Sequence, residues 1–212
     1  MSYGIALVTA ASPTIAVTAA EAKTHCRIDS GITDFDTWIA NAIAAAQEYV
    51  ERYTNRILLA STWDITWDRF PSGNDPIYVP LVPIALTTPV THIKYYDANG
   101  TQQTWSSSNY VVSVDREPGI IRLAYSVSWP TIRSQPDAVQ VRVIAGYSAA
   151  ATVPQGLKYA ILLLVGHWFA NRESTVVGTI TSKVEQTVDS LCESYRVGDE
   201  FLCYEPEDYA TP

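Results

Sequence analysis

Cysteine is scarce in this chain of 212 residues: only Cys26, Cys192 and Cys203 occur. They are odd in number and form no Cys-x-x-Cys pair, so neither a disulfide framework nor a zinc site is signalled, and a reducing compartment suits them. Histidine is equally sparse. His25, His92 and His167 lie far apart and show no His-x-x-x-His spacing, so no metal site is expected and His167 is assigned a structural role. Positive charge is in deficit as well, with 14 Lys and Arg against 22 Asp and Glu. Non-specific grip on nucleic acid rests on neutralising phosphates with basic side chains, and a net charge of -8 argues against it.

The motifs of common catalysis are missing too. Gly-x-x-x-x-Gly-Lys-Ser/Thr, Gly-x-Ser-x-Gly and Gly-x-Gly-x-x-Gly are all absent, which removes the phosphate-cradle, hydrolase-elbow and dinucleotide readings. His25 and Cys26 are adjacent, but neighbours on a helix point about 100° apart and do not share a proton. Cys26 is therefore expected as a small buried hydrophobe and His25 as a surface group. Asp64 and Asp68 lie about 13 Å apart along a strand, too far for a glycosidase carboxylate pair, and are expected on a solvated face. No catalytic, cofactor-binding or metal-binding residues are assigned.

No apolar run is long enough to cross a membrane. The longest candidate, residues 159–170, falls well short of the roughly 20 residues required. The N-terminus is mildly apolar but has no preceding basic residue and is broken by Thr9, Ser12 and Pro13, so a secretory signal is not expected.

What is present is a helical hub. After Pro154, which suits a first helical position, Leu157, Ala160, Ile161, Leu164, Val165 and Trp168 recur at the three-four spacing of one helix face, and Leu162, Leu163 and Phe169 widen it. Burial at about 2 kcal/mol per large side chain makes this face a place where other elements must pack. The helix is expected to stop near Arg172, and 174–182 reads as a loop. A second long helix is predicted to open at Thr33-Asp34-Phe35-Asp36, capped by the same logic with Asp36, and to carry Phe35, Trp38, Ile39, Ala42, Ile43, Ala46, Tyr49, Val50 and Tyr53 on its inner face. A capping box, Thr18 with Glu21, opens a shorter helix before it, and Val184, Val188, Leu191 and Tyr195 mark a fourth near the C-terminus, with Cys192 beside that face.

Between the two long helices the period falls to two. Trp63, Ile65 and Trp67 alternate with polar residues, and further strands are expected at 90–96, 101–105, 110–114, 120–124 and 139–144, separated by turn signals such as Asp97-Ala98-Asn99-Gly100. The fold class expected is α+β: a helical bundle core of about four helices with an inserted antiparallel β sandwich or small barrel. The division is an N-terminal arm at 1–16, a helical core at 17–58 and 152–196, a β-rich insertion at 59–151, and an acidic C-terminal arm at 197–212. Residues 151–212 hold nine acids against four bases, and 198–212 has no helical or strand period. Phe201, Leu202, Tyr204 and Tyr209 in that arm are the candidate partner-binding residues. A competing use of aromatics is a carbohydrate- or protein-binding face made by Trp63, Trp67 and Trp105, set against ordinary core packing of strand tryptophans.

The order of these pieces resembles one family. Thr-x-x-Glu-Ala-Lys-x-His-x-Arg-Ile-Asp over 18–29, Tyr-Val-Glu-Arg-Tyr-Thr-Asn-Arg over 49–56, Thr62-Trp63 with Arg69-Phe70-Pro71, Ile77-x-Val79-Pro80, Gly146-Tyr147, and Val153-Pro154 leading into His-Trp-Phe-x-Asn-Arg-Glu all fit the head-tail connector, or adaptor, proteins of tailed phages. The sequence departs from that pattern at Cys26, where a leucine is usual, before the last short helix, where Leu-Pro is missing, and in the acidic arm. The resemblance implies a structural virion protein with no enzymatic activity and no cofactor. It further implies a homo-oligomeric ring, typically a dodecamer, beneath the portal protein at the head-tail interface. A tail or stopper protein would dock on that ring, and DNA would pass its channel without sequence-specific binding. Assembly would take place in the host cytoplasm, with no membrane partner.

Overall fold

The computed structural model describes residues 3–12, 14–171 and 181–198. These fall into two units.

The helical unit takes Ser12–Leu59 with Tyr147–Val197. Its helices are α1 (Ala19–His25), α2 (Asp36–Thr54), α3 (Gln155–Ala170) and α4 (Thr181–Glu193). The Thr18 capping box forms as expected: the Thr18 hydroxyl oxygen accepts from the Glu21 amide at 3.2 Å, and the Glu21 carboxylate accepts from the Thr18 amide at 2.7 Å. At α2 the capping differs from expectation. Phe35 occupies the N-cap with no side-chain hydrogen bond, and Asp36 instead forms an ion pair with Lys23 of α1. Lys23 also donates to the Ile32 carbonyl at 2.7 Å, so one buried cation ties the end of α1 to the start of α2.

The two long helices pack on each other, as the sequence predicts. Phe35, at the mouth of α2, meets Phe169 of α3 edge-on with ring centroids 5.5 Å apart, and Trp38 meets the same ring at 5.5 Å. Ile39, Ile43, Val50, Leu157, Ile161 and Val165 are fully buried. Pro154 is the N-cap of α3 rather than its first helical residue, and Trp168 is only half-buried, so the deep face ends at Val165. Cys26 is half-buried rather than buried, with His25 beside it packing edge-on against Tyr159 at 6.1 Å.

The β unit contains the described part of Met1–Ala11 and Ala60–Gly146. Its strands are β1 (Tyr3–Thr9), β2 (Ser61–Trp67), β3 (Ile77–Val79), β4 (Val90–Tyr96), β5 (Gln102–Trp105), β6 (Tyr110–Ser113), β7 (Gly119–Leu123) and β8 (Val139–Ala145). They form a five-stranded sheet in the order β1-β2-β8-β4-β5 and a three-stranded sheet in the order β3-β7-β6, with every pairing antiparallel. The class is thus α+β, with four helices and antiparallel sheets; neither sheet closes into a barrel. The stretch 1–16, expected as an arm, contributes the edge strand β1, and the proline-bounded β3 is a further strand that periodicity does not reveal.

The core of this unit is aliphatic around Ile65, Ile93, Val139, Val141 and Val143 and aromatic around Phe70. Phe70 stacks on Trp129 at 4.8 Å and lies 5.9 Å from Trp105, which itself stacks on Tyr110 at 5.8 Å. The β4-β5 turn is built by Asp97, whose carboxylate accepts from the amides of Asn99 (2.9 Å) and Thr101 (3.0 Å). Gly100 there has φ +82°, and a Cβ at that position would collide with the Arg133 guanidinium.

Candidate functional site

The partner-binding residues expected from sequence, Phe201, Leu202, Tyr204 and Tyr209, lie outside the described residues, as do the predicted loop 174–182 except for its last two residues and the proposed end of the hub helix at Arg172. What the structure does describe is the segment 195–197 that precedes the first four of these. That segment is held by the end of α2.

Asn55 closes α2 in the left-handed conformation (φ 55°, ψ 34°), which asparagine tolerates better than most residues, and its amide side chain is left pointing at the returning chain. Asn55 Nδ2 donates to the Val197 carbonyl at 3.0 Å, and the Val197 amide donates to the Thr54 carbonyl at 3.0 Å. Arg56 Nε donates to the Tyr195 carbonyl. Val197 is itself buried, so three backbone groups within 195–197 are fixed against α2.

Upstream, α4 is clamped to α2 by two tyrosines. Tyr49 donates to Asp189 and Tyr53 to Glu193, each at 3.0 Å, and the two rings stack at 6.3 Å. Arg196 lies 5.7 Å from the Tyr53 ring. Tyr49 and Tyr53 were placed on the apolar face by periodicity; they instead span the edge of that face with their hydroxyls on acids of α4. Hydrogen bonding to Glu193 pushes the Tyr53 phenol above its ordinary value. Val188 and Cys192 supply the buried side of α4, and burial raises the Cys192 thiol to about 11, which leaves it inert as a nucleophile. A Cβ on Gly156 of α3 would stand 3.0 Å from the Tyr195 ring, so the glycine lets this end of the chain approach closely.

Polar groups of α2 also hold the segments that flank it in sequence. Glu51 Oε1 accepts from the Leu58 amide at 3.0 Å and from Gln47 at 3.3 Å, while Gln47 accepts from the Ala16 amide at 2.9 Å and donates to the Thr14 carbonyl at 3.1 Å. Burial pushes the Glu51 carboxyl up, against the hydrogen bonds from Leu58 and Gln47 that pull it down. These polar residues pin the chain on either side of α2 and were not singled out by the helical period.

In the β unit, Asp64 corrects the expectation of a solvated face: it is 8% exposed. Its two oxygens accept from Arg142 Nε and Nη2, both at 2.7 Å, and from Gln140 at 2.8 Å. The Arg142 hydrogen bonds hold its carboxyl below the usual range. Asp68 accepts from the Asp137 amide at 2.9 Å and remains exposed, so the two aspartates do different structural work. Trp67 and Trp105 are buried and Trp63 is half-buried, donating to the Ser61 hydroxyl at 2.8 Å; the three do not form an open sugar-binding face.

A cleft of about 770 Å³ beside α1 is lined by Lys23, Thr24, Arg27, Asp29 and Asp36, with Lys23 engaged by Asp36 and the Ile32 carbonyl. Among the described residues no group of three or more His, Cys, Asp or Glu is placed to hold a metal ion, and no helix is long and apolar enough to cross a membrane.

The arrangement is that of an α+β protein whose polar side chains join segments of chain to one another. Residues 17–119 match the family model described as phage gp6-like head-tail connector protein. That match agrees with the resemblance to head-tail connector proteins of tailed phages that the sequence anchors indicated. Three solved structures share the fold. A protein in the neck of an empty GTA particle computed with C6 symmetry superposes with a TM-score of 0.68 at 21% identity, over 92% of this chain and 96% of that one. A protein of the virion of a native gene transfer agent particle gives 0.68 at 22%, over 92% and 95%. One in the neck of the native particle computed with C12 symmetry gives 0.66 at 20%, over 92% and 96%. No curated protein sequence matches the chain.

Proposed function

We propose that this protein is the head-tail connector of a tailed particle, forming a homo-oligomeric ring, a dodecamer, beneath the portal protein and offering the surface on which a tail or stopper protein docks. The observation that carries the reading is the joint one: the family match over 17–119 and a fold shared across 92% of the chain with proteins of necks and virions. Neck reconstructions computed with C6 and C12 symmetry support the ring. The role is structural and needs no reacting group.

The physical chemistry is consistent with it. A chain of net charge -8 repels phosphates, which favours DNA sliding through a ring of such chains over DNA gripped by its backbone; on this reading it passes without sequence-specific binding. Residues 195–197 are fixed on α2, and Phe201, Leu202, Tyr204 and Tyr209 of the arm at 197–212 are the residues we assign to contact with the portal or a neighbouring copy. Assembly takes place in the host cytoplasm and the product resides in the virion.

The test is removal of 198–212, which lies beyond the anchored Val197. The shortened protein should keep its melting behaviour yet join portal rings poorly in co-sedimentation and fail to complement particle assembly. Unchanged portal binding would overturn the assignment of the arm.

A further inference from the structure

Among the described residues the five-stranded sheet ends at β1 on one side and β5 on the other, and both edge strands are without charge. β1 is exposed from Gly4 to Thr9, with Ile5 at 42%, Leu7 at 51% and Val8 at 41% exposure. No Asp, Glu, Lys, Arg or His occurs anywhere in residues 1–20. At the other edge, Gln102, Gln103 and Thr104 of β5 are exposed, and residues 98–114 are likewise free of charged side chains. The inner strands differ: Asp64 sits on β2, Arg142 on β8, and His92 and Lys94 on β4.

An open strand edge presents unpaired N–H and C=O groups, and a protein that must stay single guards such an edge with lysine, proline or inward charge. Neither edge strand contains a lysine, a proline or an inward charge; the interruptions are a register shift between Leu7 and Thr9 in β1 and the four-residue length of β5. Among the described residues no strand pairs with the outer side of β1 or of β5. For a chain of net charge -8, the uncharged strips are also where two copies approach at the least electrostatic cost.

We infer that the outer edge of β1 in one copy pairs with the outer edge of β5 in the next, so that the sheet of one subunit continues into that of its neighbour. This rests on the ring reading above and specifies its contact. The contact is heterologous, as a closed ring of more than two copies requires. Four antiparallel steps separate β1 from β5, so the two strands run in the same direction; copies related by rotation about a ring axis would therefore meet through a parallel pair. β5 is four residues long, which makes one such link weak and association strongly dependent on concentration.

The experiment is sedimentation velocity of the full-length protein over a concentration series, comparing the natural chain with Leu7→Lys and Thr104→Lys, both at exposed positions. The natural chain should form species beyond the dimer as concentration rises, and each lysine should weaken that association by about tenfold or more. A natural chain that stays monomeric throughout overturns the inference. So does association untouched by either lysine. Loss in Leu7→Lys with normal behaviour in Thr104→Lys would indicate a β1-to-β1 dimer and overturn it as well. Rings seen on the portal with both lysine variants at natural occupancy would remove this edge contact while leaving the connector reading in place.

Discussion

Asp64 and Arg142 stand directly opposite each other on β2 and β8 and meet through two parallel hydrogen bonds of 2.7 Å. A forked guanidinium-carboxylate pair of this kind is among the stronger polar contacts in proteins, and the aspartate end of it is buried. Asp64→Ala should cost about 1–3 kcal/mol in denaturant melts at neutral pH, because it strands the Arg142 fork and the Gln140 amide. The Asp64 carboxyl is depressed in the fold. Its stabilisation is therefore present above the unfolded value of about 3.9 and is lost as pH falls through the lower folded value. The gap between the natural chain and the variant should narrow in acid; a gap that is constant down to the acid limit would show that the ionised carboxylate adds nothing to the pair.

Glu51 has the opposite sign. Its carboxyl is raised by burial, so the folded state binds its proton more tightly, and stability falls as pH rises from the unfolded value of about 4.3 through the folded one. Glu51→Gln removes the titration and should flatten the pH profile in that window. Glu51→Ala also removes the titration but leaves the Leu58 amide without its acceptor, so it should lose about 1–2 kcal/mol below about pH 4, a loss that shrinks as pH rises through the folded value. Equal profiles for the natural chain and Glu51→Gln would contradict the assignment.

Helix α1 depends on its capping box, with Glu21 held below the usual range chiefly by the Thr18 amide. Thr18→Ala should destabilise the protein by about 1 kcal/mol. Thermal melts of that variant beside Thr18→Ser, which keeps the hydroxyl, separate the cap from general disturbance.

Asn55→Gly keeps the left-handed backbone while deleting the side-chain bond to Val197. Hydrogen exchange of the Val197 amide should speed up by about threefold to tenfold, the equivalent of one ordinary hydrogen bond. Exchange at the natural rate would mean the segment 195–197 is held by other contacts alone.

Trp105→Ala should cost about 3–5 kcal/mol, since the ring is 7% exposed and packs among Phe70, Tyr110 and Trp129. Tryptophan fluorescence should not change across a panel of sugars. A saturable quench would revive a glycan-binding face.

Much of the fold was legible because its signals are local. The Thr18 box, the inner faces of α2 and α3, and β4, β7 and β8 follow from spacing within a few residues, and observed bounds lie within a residue or two of those expected. The misses are non-local. The partner that buries Asp64 is 78 residues away, and those of Tyr49 and Tyr53 are 140 away. Nothing in the local period reports them. β1 escaped notice because an edge strand exposed on both faces needs no alternation, so Ile5, Ala6, Leu7 and Val8 read as an aimless apolar run. Trp168 was placed too deep because the helical period gives a face but not where its partner ends.

The proposed function is a ring of copies of this chain beneath a portal. Electron microscopy of the full-length protein mixed with its purified portal tests it most directly. The account predicts an added layer of density on one face of the portal, with rotational symmetry matched to a ring of copies. Portal particles that remain bare at saturating protein would contradict it.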